Sequence, residues 1–134
     1  MASKVRVLIC DDSLGFPTLV RTWLRNDGRF EVTGLATGGE QAKRMVAEDP
    51  PDAIVLDLVL PDVADPAVLA AELRAIHPPL RILLVSSLHA EALESAAAAT
   101  TADGVSNKSA TADELADRLY AVATAGSSTQ NELP

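Results

Sequence analysis

The sequence DAIVLDLVLPD, residues 52–62, is the most informative part of the chain. It contains an unbroken apolar run at residues 53–56 that ends at Asp57, and Pro61 follows in the next segment. A short apolar run without polar alternation is typical of a strand that is buried on both faces, as in a parallel sheet. A buried carboxylate is costly unless it has a partner. Asp57 is therefore the first candidate for a functional residue.

Similar segments recur along the chain and alternate with helical patterns. Further strands are predicted at residues 5–10, 30–36, 80–85 and 104–107, and helices at residues 13–26, 67–76, 90–99 and 112–125, with another helix between the glycines at 38–39 and the prolines at 50–51. In the first helix, one apolar face is predicted to contain Phe16, Leu19, Val20, Trp23 and Leu24.

This alternation predicts an α/β fold: a doubly wound, five-stranded parallel sheet with helices on both faces. The crossovers of such a sheet are right-handed. The strand order that we expect is 2-1-3-4-5, the flavodoxin-like order.

The composition fits one domain of ordinary size, which we place at residues 1–125. The polar residues 126–134 are interpreted as a flexible tail or the start of an interdomain linker. Apolar residues make up 48% of the chain but aromatic residues only 3%, so aliphatic side chains must fill the core. No apolar run approaches the length of a membrane span, and the single cysteine, Cys10, excludes an internal disulfide. We expect a cytoplasmic protein that does not contact a membrane.

The charge balance is acidic, with 11 basic and 19 acidic residues and a net charge of −8. This argues against direct binding of nucleic acid, whose phosphates require clustered Lys and Arg. It suits a domain that concentrates carboxylates around a cation.

Polar residues follow the predicted strands at the same edge of the sheet. Asp11 and Asp12 follow strand 1, Asp57 follows strand 3, Ser86 follows strand 4 and Lys108 follows strand 5. Ligands of open α/β sheets bind beyond the carboxyl ends of the strands. With strands 1 and 3 adjacent, the three aspartates converge on one pocket.

Three carboxylates in one pocket repel one another, and a divalent cation removes that cost. Mg²⁺ prefers hard oxygen ligands and often shares them with a substrate phosphate. A carboxylate such as Asp57 can attack phosphorus to form an acyl phosphate. Mg²⁺ and Lys108 can then offset the charge on the transferred group, and the Ser86 hydroxyl can donate a hydrogen bond to it.

Four motifs carry a family resemblance: VLICDDS (7–13), DAIVLDLVLPD (52–62), ILLVSS (82–87) and DGVSNK (103–108). Their order and spacing resemble those of receiver domains of two-component response regulators, over roughly residues 4–125. Residues 103–115 are most similar to receivers that precede LuxR-like helix-turn-helix domains. A longer parent protein with a DNA-binding domain is thus an expectation of the resemblance.

The resemblance implies a metal site for Mg²⁺. By the match, Asp12 resembles the direct ligand and Asp11 its partner through a water molecule. Asp57 and the main-chain carbonyl of Val59 resemble the remaining protein ligands.

The resemblance also implies a signalling function without turnover of an external substrate. Asp57 resembles the aspartate that accepts a phosphoryl group from a histidine kinase or phosphotransfer protein. Ser86 resembles the switch hydroxyl and Lys108 the phosphate-binding lysine. Phosphorylation would re-shape the surface of helix 4, strand 5 and helix 5. A homodimer, either through that face or through helices 1 and 5, is compatible with the family.

The sequence departs from the family pattern at Val105, at Asp65 and at Ser109, where many receivers have proline. Val105 occupies the strand 5 position where an aromatic residue is common, so a swinging ring cannot report phosphorylation. Asp65 replaces a usual glycine, which predicts a rearranged loop if that position requires positive φ. Val59 and Leu88, at positions that tune the lifetime of the phosphoryl group, are both apolar, which predicts slow self-dephosphorylation.

Two other functions remain open from the sequence. One is a degenerate receiver that acts as a phosphorylation-independent interaction module, which Val105 and Asp65 favour. The other is a phosphatase of the haloacid-dehalogenase type, although its D-x-D spacing is absent from Asp11-Asp12-Ser13. Asp11 and Asp12 also have a plain interpretation, as a solvated strand end or a helix cap.

Overall fold

Five strands alternate with five helices along residues 3–87 and 89–132, the part of the chain that the computed structural model describes. The strands are β1 (Val5–Cys10), β2 (Phe30–Ala36), β3 (Ala53–Asp57), β4 (Arg81–Ser86) and β5 (Gly104–Asn107). The helices are α1 (Phe16–Asp27), α2 (Gly39–Glu48), α3 (Pro66–Ile76), α4 (Ala90–Thr100) and α5 (Ala112–Glu132). None of the helices in these ranges is long and apolar enough to cross a membrane.

All neighbouring strands are parallel, in the order β2-β1-β3-β4-β5. The predicted doubly wound fold is therefore confirmed. Because β1 and β3 are neighbours, with Cys10 paired to Leu56, the two strand ends that carry aspartates lie side by side.

The core consists of two layers, one on each face of the sheet. Ile54 and Leu56 of β3 face one layer, which α2, α3 and α4 cover, whereas Ala53 and Val55 face the other, which α1 and α5 cover. Aliphatic side chains fill most of both layers, and Phe30 is a large aromatic residue that is fully buried. Alternate residues of a central strand thus serve opposite layers, which is why the strands are apolar without interruption.

Helix α1 begins later than the sequence pattern predicts, at Phe16 rather than at Ser13. Ser13 donates its main-chain N–H to the Asp11 carboxylate at 2.8 Å, which holds this segment in a turn. The predicted apolar face is also wrong at Leu19, which is 45% exposed. Pro17, Val20 and Leu24 form the buried stripe instead.

Helix α5 continues past the predicted end at residue 125, as far as Glu132. The sequence after Ala125 is polar but contains no proline before Pro134, so an established helix can propagate. Residues 133–134 lie outside the described residues. The division into a domain at 1–125 and a separate tail at 126–134 stays a prediction.

The loop between β3 and α3 differs from the expectation based on Asp65. Asp65 adopts an extended conformation, with φ of −134°, and its carboxylate caps α3 by accepting from the Ala67 N–H at 2.9 Å. The position does not require positive φ, so the condition on which a rearranged loop was expected is not met. Asp62 caps the other neighbouring helix, α2, by accepting from the N–H groups of Gly39 and Glu40.

Candidate functional site

The carboxyl ends of four strands bring the predicted site residues together. Asp11 directly follows β1, and its main-chain N–H donates to Ala36 at the end of β2. Asp57 is the last residue of β3 and Ser86 the last residue of β4. Lys108 directly follows β5, and its main-chain N–H donates to the Ser86 carbonyl at 2.9 Å, which closes this edge of the site.

Three carboxylates form the centre of the site. Asp11, Asp12 and Asp57 each offer one oxygen atom, and these atoms all lie within 4.8 Å of one another. Asp11 and Asp57 are buried, with 1% and 6% exposure, whereas Asp12 is open to solvent. The arrangement has a buried floor and an open mouth, as a cation that retains water ligands requires.

The Asp11 carboxylate is held from both sides. Its Oδ1 accepts hydrogen bonds from the main-chain N–H and the hydroxyl of Ser13. Its Oδ2 is buried and, among the described residues, accepts no hydrogen bond of ordinary geometry. The charge of that oxygen is offset by the Lys108 ammonium at 2.9 Å. We take this contact to be an ion pair rather than a well-aligned hydrogen bond.

Lys108 bridges the two buried carboxylates. Its Nζ lies 2.9 Å from Asp11 Oδ2 and 3.5 Å from Asp57 Oδ2, and it stands 5.1 Å from the centre of the Phe16 ring. Burial lowers the pKa of Lys108, but the close contact with Asp11 and the charges of both carboxylates outweigh that effect. The net pKa is raised, so Lys108 is a permanent cation in the site.

The folded chain disfavours the ionised form of Asp57. Burial raises its pKa, and the negative charge of Asp11 raises it further. The Val59 N–H, which donates to Asp57 Oδ1 at 3.3 Å, and the Lys108 ammonium oppose this shift without cancelling it. The charged form of Asp57 therefore lacks full compensation from the protein, and a bound cation would supply it.

The other predicted residues surround this centre. Ser86 is buried at the end of β4, with 3% exposure, whereas Val59 is 67% exposed beyond Asp57. Leu88 lies outside the described residues. Val105 is partly buried against the core layer under α4, so an aliphatic side chain occupies the position where an aromatic residue is common.

Two residues at the site were missed in the sequence. Ser13 orients Asp11 through two hydrogen bonds, and the Asp-x-Ser spacing is a known local turn signal that could have indicated it. Phe16 lies against Lys108. Its role depends on how α1 packs over the strand ends, for which the local sequence carries no signal.

Comparisons with known proteins identify the family to which the chain belongs. The family described as the response regulator receiver domain matches residues 7–120. The chain is 36% identical over 120 residues to protein-glutamate methylesterase/protein-glutamine glutaminase 5 of Myxococcus xanthus, covering 90% of this chain and 34% of that protein. A similar enzyme of Maricaulis maris is 37% identical over 86 residues, 64% of this chain and 21% of that protein. The chain thus spans about a third or less of these relatives.

Solved structures show the same fold. The signal receiver domain of the putative response regulator NarL from Mycobacterium tuberculosis superposes with a TM-score of 0.81 at 29% identity, covering 92% of this chain and 98% of that one. A LuxR family response regulator from Aurantimonas has a TM-score of 0.82 at 24% identity, with 92% and 87% coverage, which shows likeness of fold. The predicted resemblance is confirmed, and this chain belongs to the response regulator receiver domain family.

Proposed function

We propose that the chain is a phosphoacceptor module in which Asp57 receives a phosphoryl group with the help of Mg²⁺. The observation that carries the proposal is the cluster of Asp11, Asp12 and Asp57, whose oxygen atoms lie within 4.8 Å of one another beside the Lys108 ammonium. In such a chain, phosphorylation is a signal rather than the turnover of an external substrate.

The donor set fits Mg²⁺. Carboxylate oxygens are its preferred protein ligands, and the open mouth at Asp12 leaves room for water and phosphate oxygens. We assign Asp12 and Asp57 as direct ligands, Asp11 as a ligand through water and the Val59 carbonyl as a further ligand. When bound, the ion supplies positive charge that offsets the carboxylates and the oxygens of the transferred phosphoryl group.

Asp57 is the nucleophile of the proposed transfer. One of its carboxylate oxygens forms a bond to phosphorus while the phosphorus–nitrogen bond of a phosphohistidine donor breaks. The electron pair of that bond stays on the imidazole nitrogen. Because the other ring nitrogen of the donor already carries a proton, the donor leaves as neutral imidazole. The Val59 N–H, 3.3 Å from Asp57 Oδ1, restricts the rotation of the carboxylate and so keeps it oriented.

Lys108 and Ser86 would stabilise the phosphorylated state. The Lys108 ammonium already lies between two carboxylates, so a phosphoryl group on Asp57 places further negative charge within its reach. The Ser86 hydroxyl would donate to a phosphoryl oxygen. Because the end of β4 is hydrogen-bonded to Lys108 after β5, movement at Ser86 would be passed to the surface of α4, β5 and α5.

We further propose a histidine kinase or a phosphotransfer protein as the donor and the cytoplasm as the location. A longer parent protein with a DNA-binding output domain and a homodimer through the α4–β5–α5 face are extensions of the same proposal.

The test is phosphorylation by a small phosphodonor. The purified chain is incubated with acetyl phosphate and Mg²⁺, and intact mass spectrometry measures the addition of one phosphoryl group. Asp57→Asn should abolish the addition, and Asp62→Asn, a matched change in the adjacent loop, should leave it intact. EDTA should prevent it in the unmodified chain.

The outcomes separate the candidate functions. Labelling that depends on Asp57 and Mg²⁺ supports the proposal. A folded chain that is never labelled would be a phosphorylation-independent interaction module instead, and continuous hydrolysis of phosphoesters would indicate a phosphatase.

A further inference from the structure

A cavity lies at the opposite edge of the sheet from the carboxylates, near the amino ends of β1 and β2. Arg21 and Arg25 stand one turn apart on α1, and Lys4 directly precedes β1. The cavity has a volume of about 440 Å³. Its lining consists of Lys4, Arg21, Arg25, Phe30, Glu31 and Val32.

Three cations in one cavity are unusual in this acidic chain, because most of its other basic residues have partners. The basic residues that form ion pairs are Arg6, Arg29, Lys43, Arg74, Arg81 and Lys108. Arg118 donates to the Val105 carbonyl. Within the described ranges, Lys4, Arg21 and Arg25 have no ion pair, a state that they share with the exposed Arg44 and with Arg118.

The Arg21 side chain adds a second, independent observation. Its Nε is buried and has no hydrogen-bond partner in the part of the chain that the structure describes. A buried donor on a charged group without an acceptor is costly. The carboxylate in the lining, Glu31, is drawn towards Arg6, whose Nε lies 3.8 Å from it. The cavity lining therefore carries an excess of positive charge, and one of its residues, Arg21, also has a buried donor without an acceptor. A bound anion would offset the charge and could accept from that donor.

We propose that this cavity binds a small organic phosphate. Two guanidinium groups one turn apart match the planar, two-pronged recognition of phosphate oxygens, and Lys4 adds a further positive charge. In this proposal the Arg21 side chain turns towards the bound anion, so that its Nε–H gains a phosphate oxygen as acceptor.

The shape of the cavity supports a small molecule over an extended polyanion. Its volume lies in the range of about 300–1,000 Å³ that small-molecule sites have, so there is room beyond a phosphate group. The buried Phe30 and partly buried Val32 give it an apolar floor for such a group. The net charge of −8 would repel a long polyanion. This site is independent of phosphorylation at Asp57.

The binding test is an NMR titration of the full chain, with EDTA present so that the carboxylate site cannot recruit phosphate through a metal ion. Pyrophosphate and ADP are the two probes. We expect saturable shifts of the amides at Arg21, Arg25 and Glu31 and of the Arg21 side-chain Nε–H, with tighter binding of ADP. Shifts that do not saturate or that scatter over the surface would overturn the site. Equal affinities for pyrophosphate and ADP would show that the apolar side chains of Phe30 and Val32 do not contribute to binding.

Charge variants distinguish a built site from general attraction. Arg25→Gln, at an exposed position, should weaken binding about tenfold because it removes one charge-assisted contact. Arg44→Gln makes the same charge change outside the cavity and should have no effect. Glu31→Gln should strengthen binding, since it removes the lining carboxylate. Equal losses in Arg25→Gln and Arg44→Gln would mean diffuse screening and refute the proposal.

Discussion

Replacing Lys108 with alanine removes the cation that faces two buried carboxylates, and we expect a large loss of stability. Nζ of Lys108 lies 2.9 Å from Asp11 and 3.5 Å from Asp57, whose side chains are 1% and 7% exposed. Removing one partner from a buried ion pair costs about 3–5 kcal/mol, because the remaining charge is left without compensation. The Lys108 side chain is itself 21% exposed, so water can partly replace it. We therefore expect Lys108→Ala to lower the free energy of unfolding by about 3 kcal/mol, near the lower end of that range.

Lys43→Ala is a matched control for this substitution. Its side chain is 23% exposed and also contacts two carboxylates, Glu40 and Glu72, but these are 70% and 47% exposed. Exposed ion pairs are screened by water, so the loss should be much smaller. Urea denaturation followed by the fluorescence of Trp23 measures both variants. Equal losses in the two variants would refute the reasoning that burial of the partner carboxylates sets the cost.

The pH dependence provides an internal check on Lys108→Ala. Lys108 lowers the pKa of Asp57, so its removal leaves that pKa still further above the unfolded value. A carboxylate with a raised native pKa destabilises the protein above that pKa, and the penalty disappears as the pH falls below the unfolded value. The difference between the variant and the parent chain should therefore narrow in acid. A difference that is constant between neutral and acidic pH contradicts the electrostatic origin.

Mg²⁺ should restore part of the lost stability. A ligand that binds only the native state stabilises it by about 2.7 kcal/mol at 100 times its Kd. Without Lys108, the carboxylates should hold the ion more tightly, so Mg²⁺ should stabilise Lys108→Ala more than the parent chain, and EDTA should reverse the effect. Equal stabilisation of both chains would show that Lys108 does not compete with the ion.

Four further predictions concern single positions. Asp57→Asn should raise the thermal midpoint in EDTA, because the raised pKa of Asp57 marks a charge that the native state disfavours; a lower midpoint would contradict this. Asp65→Ala should lower the free energy of unfolding in urea by about 1 kcal/mol and Asp65→Gly by only a few tenths, as at other helix N-caps. If Asp65→Gly instead raised the free energy of unfolding, the position would favour positive φ after all. Leu84→Ala, at a fully buried position of β4, should lower the free energy of unfolding by about 2–5 kcal/mol in the same assay. A smaller loss would mean that the core closes around the missing side chain. Val59 and Leu88 are apolar and cannot position a water molecule for hydrolysis, so the acyl phosphate should persist for longer than a few seconds after the donor is removed. Intact mass spectrometry measures its decay, and decay within seconds would exclude slow self-dephosphorylation.

Most of the fold follows from local patterns. The apolar runs around Ile9, Val55 and Leu83 predict buried parallel strands because each strand must serve two core layers. The errors occur where side chains interact beyond that pattern. Ser13 bonds to Asp11 and delays the start of α1, and Asp65 finds a helix N–H to accept from.

The charged centre of the candidate site could be predicted from the sequence because its residues stand at strand ends. Asp11, Asp57, Ser86 and Lys108 each follow or end a predicted strand, and a parallel sheet aligns those ends. The energetics could not be predicted in this way. Asp11 Oδ2 is compensated by the Lys108 ammonium, and burial raises the pKa of Asp57. Both effects depend on burial and on distances of a few ångströms, which only the folded structure defines.

The amino-acid sequence therefore specifies the order of the elements and the chemistry at their ends, because periodicity and residue type act locally. The basic cavity is a different case. No pattern in the sequence groups Lys4, Arg21 and Arg25. They line one cavity because α1 packs beside the starts of β1 and β2. Contacts between distant segments depend on strand register and helix packing, which are properties of the folded chain as a whole.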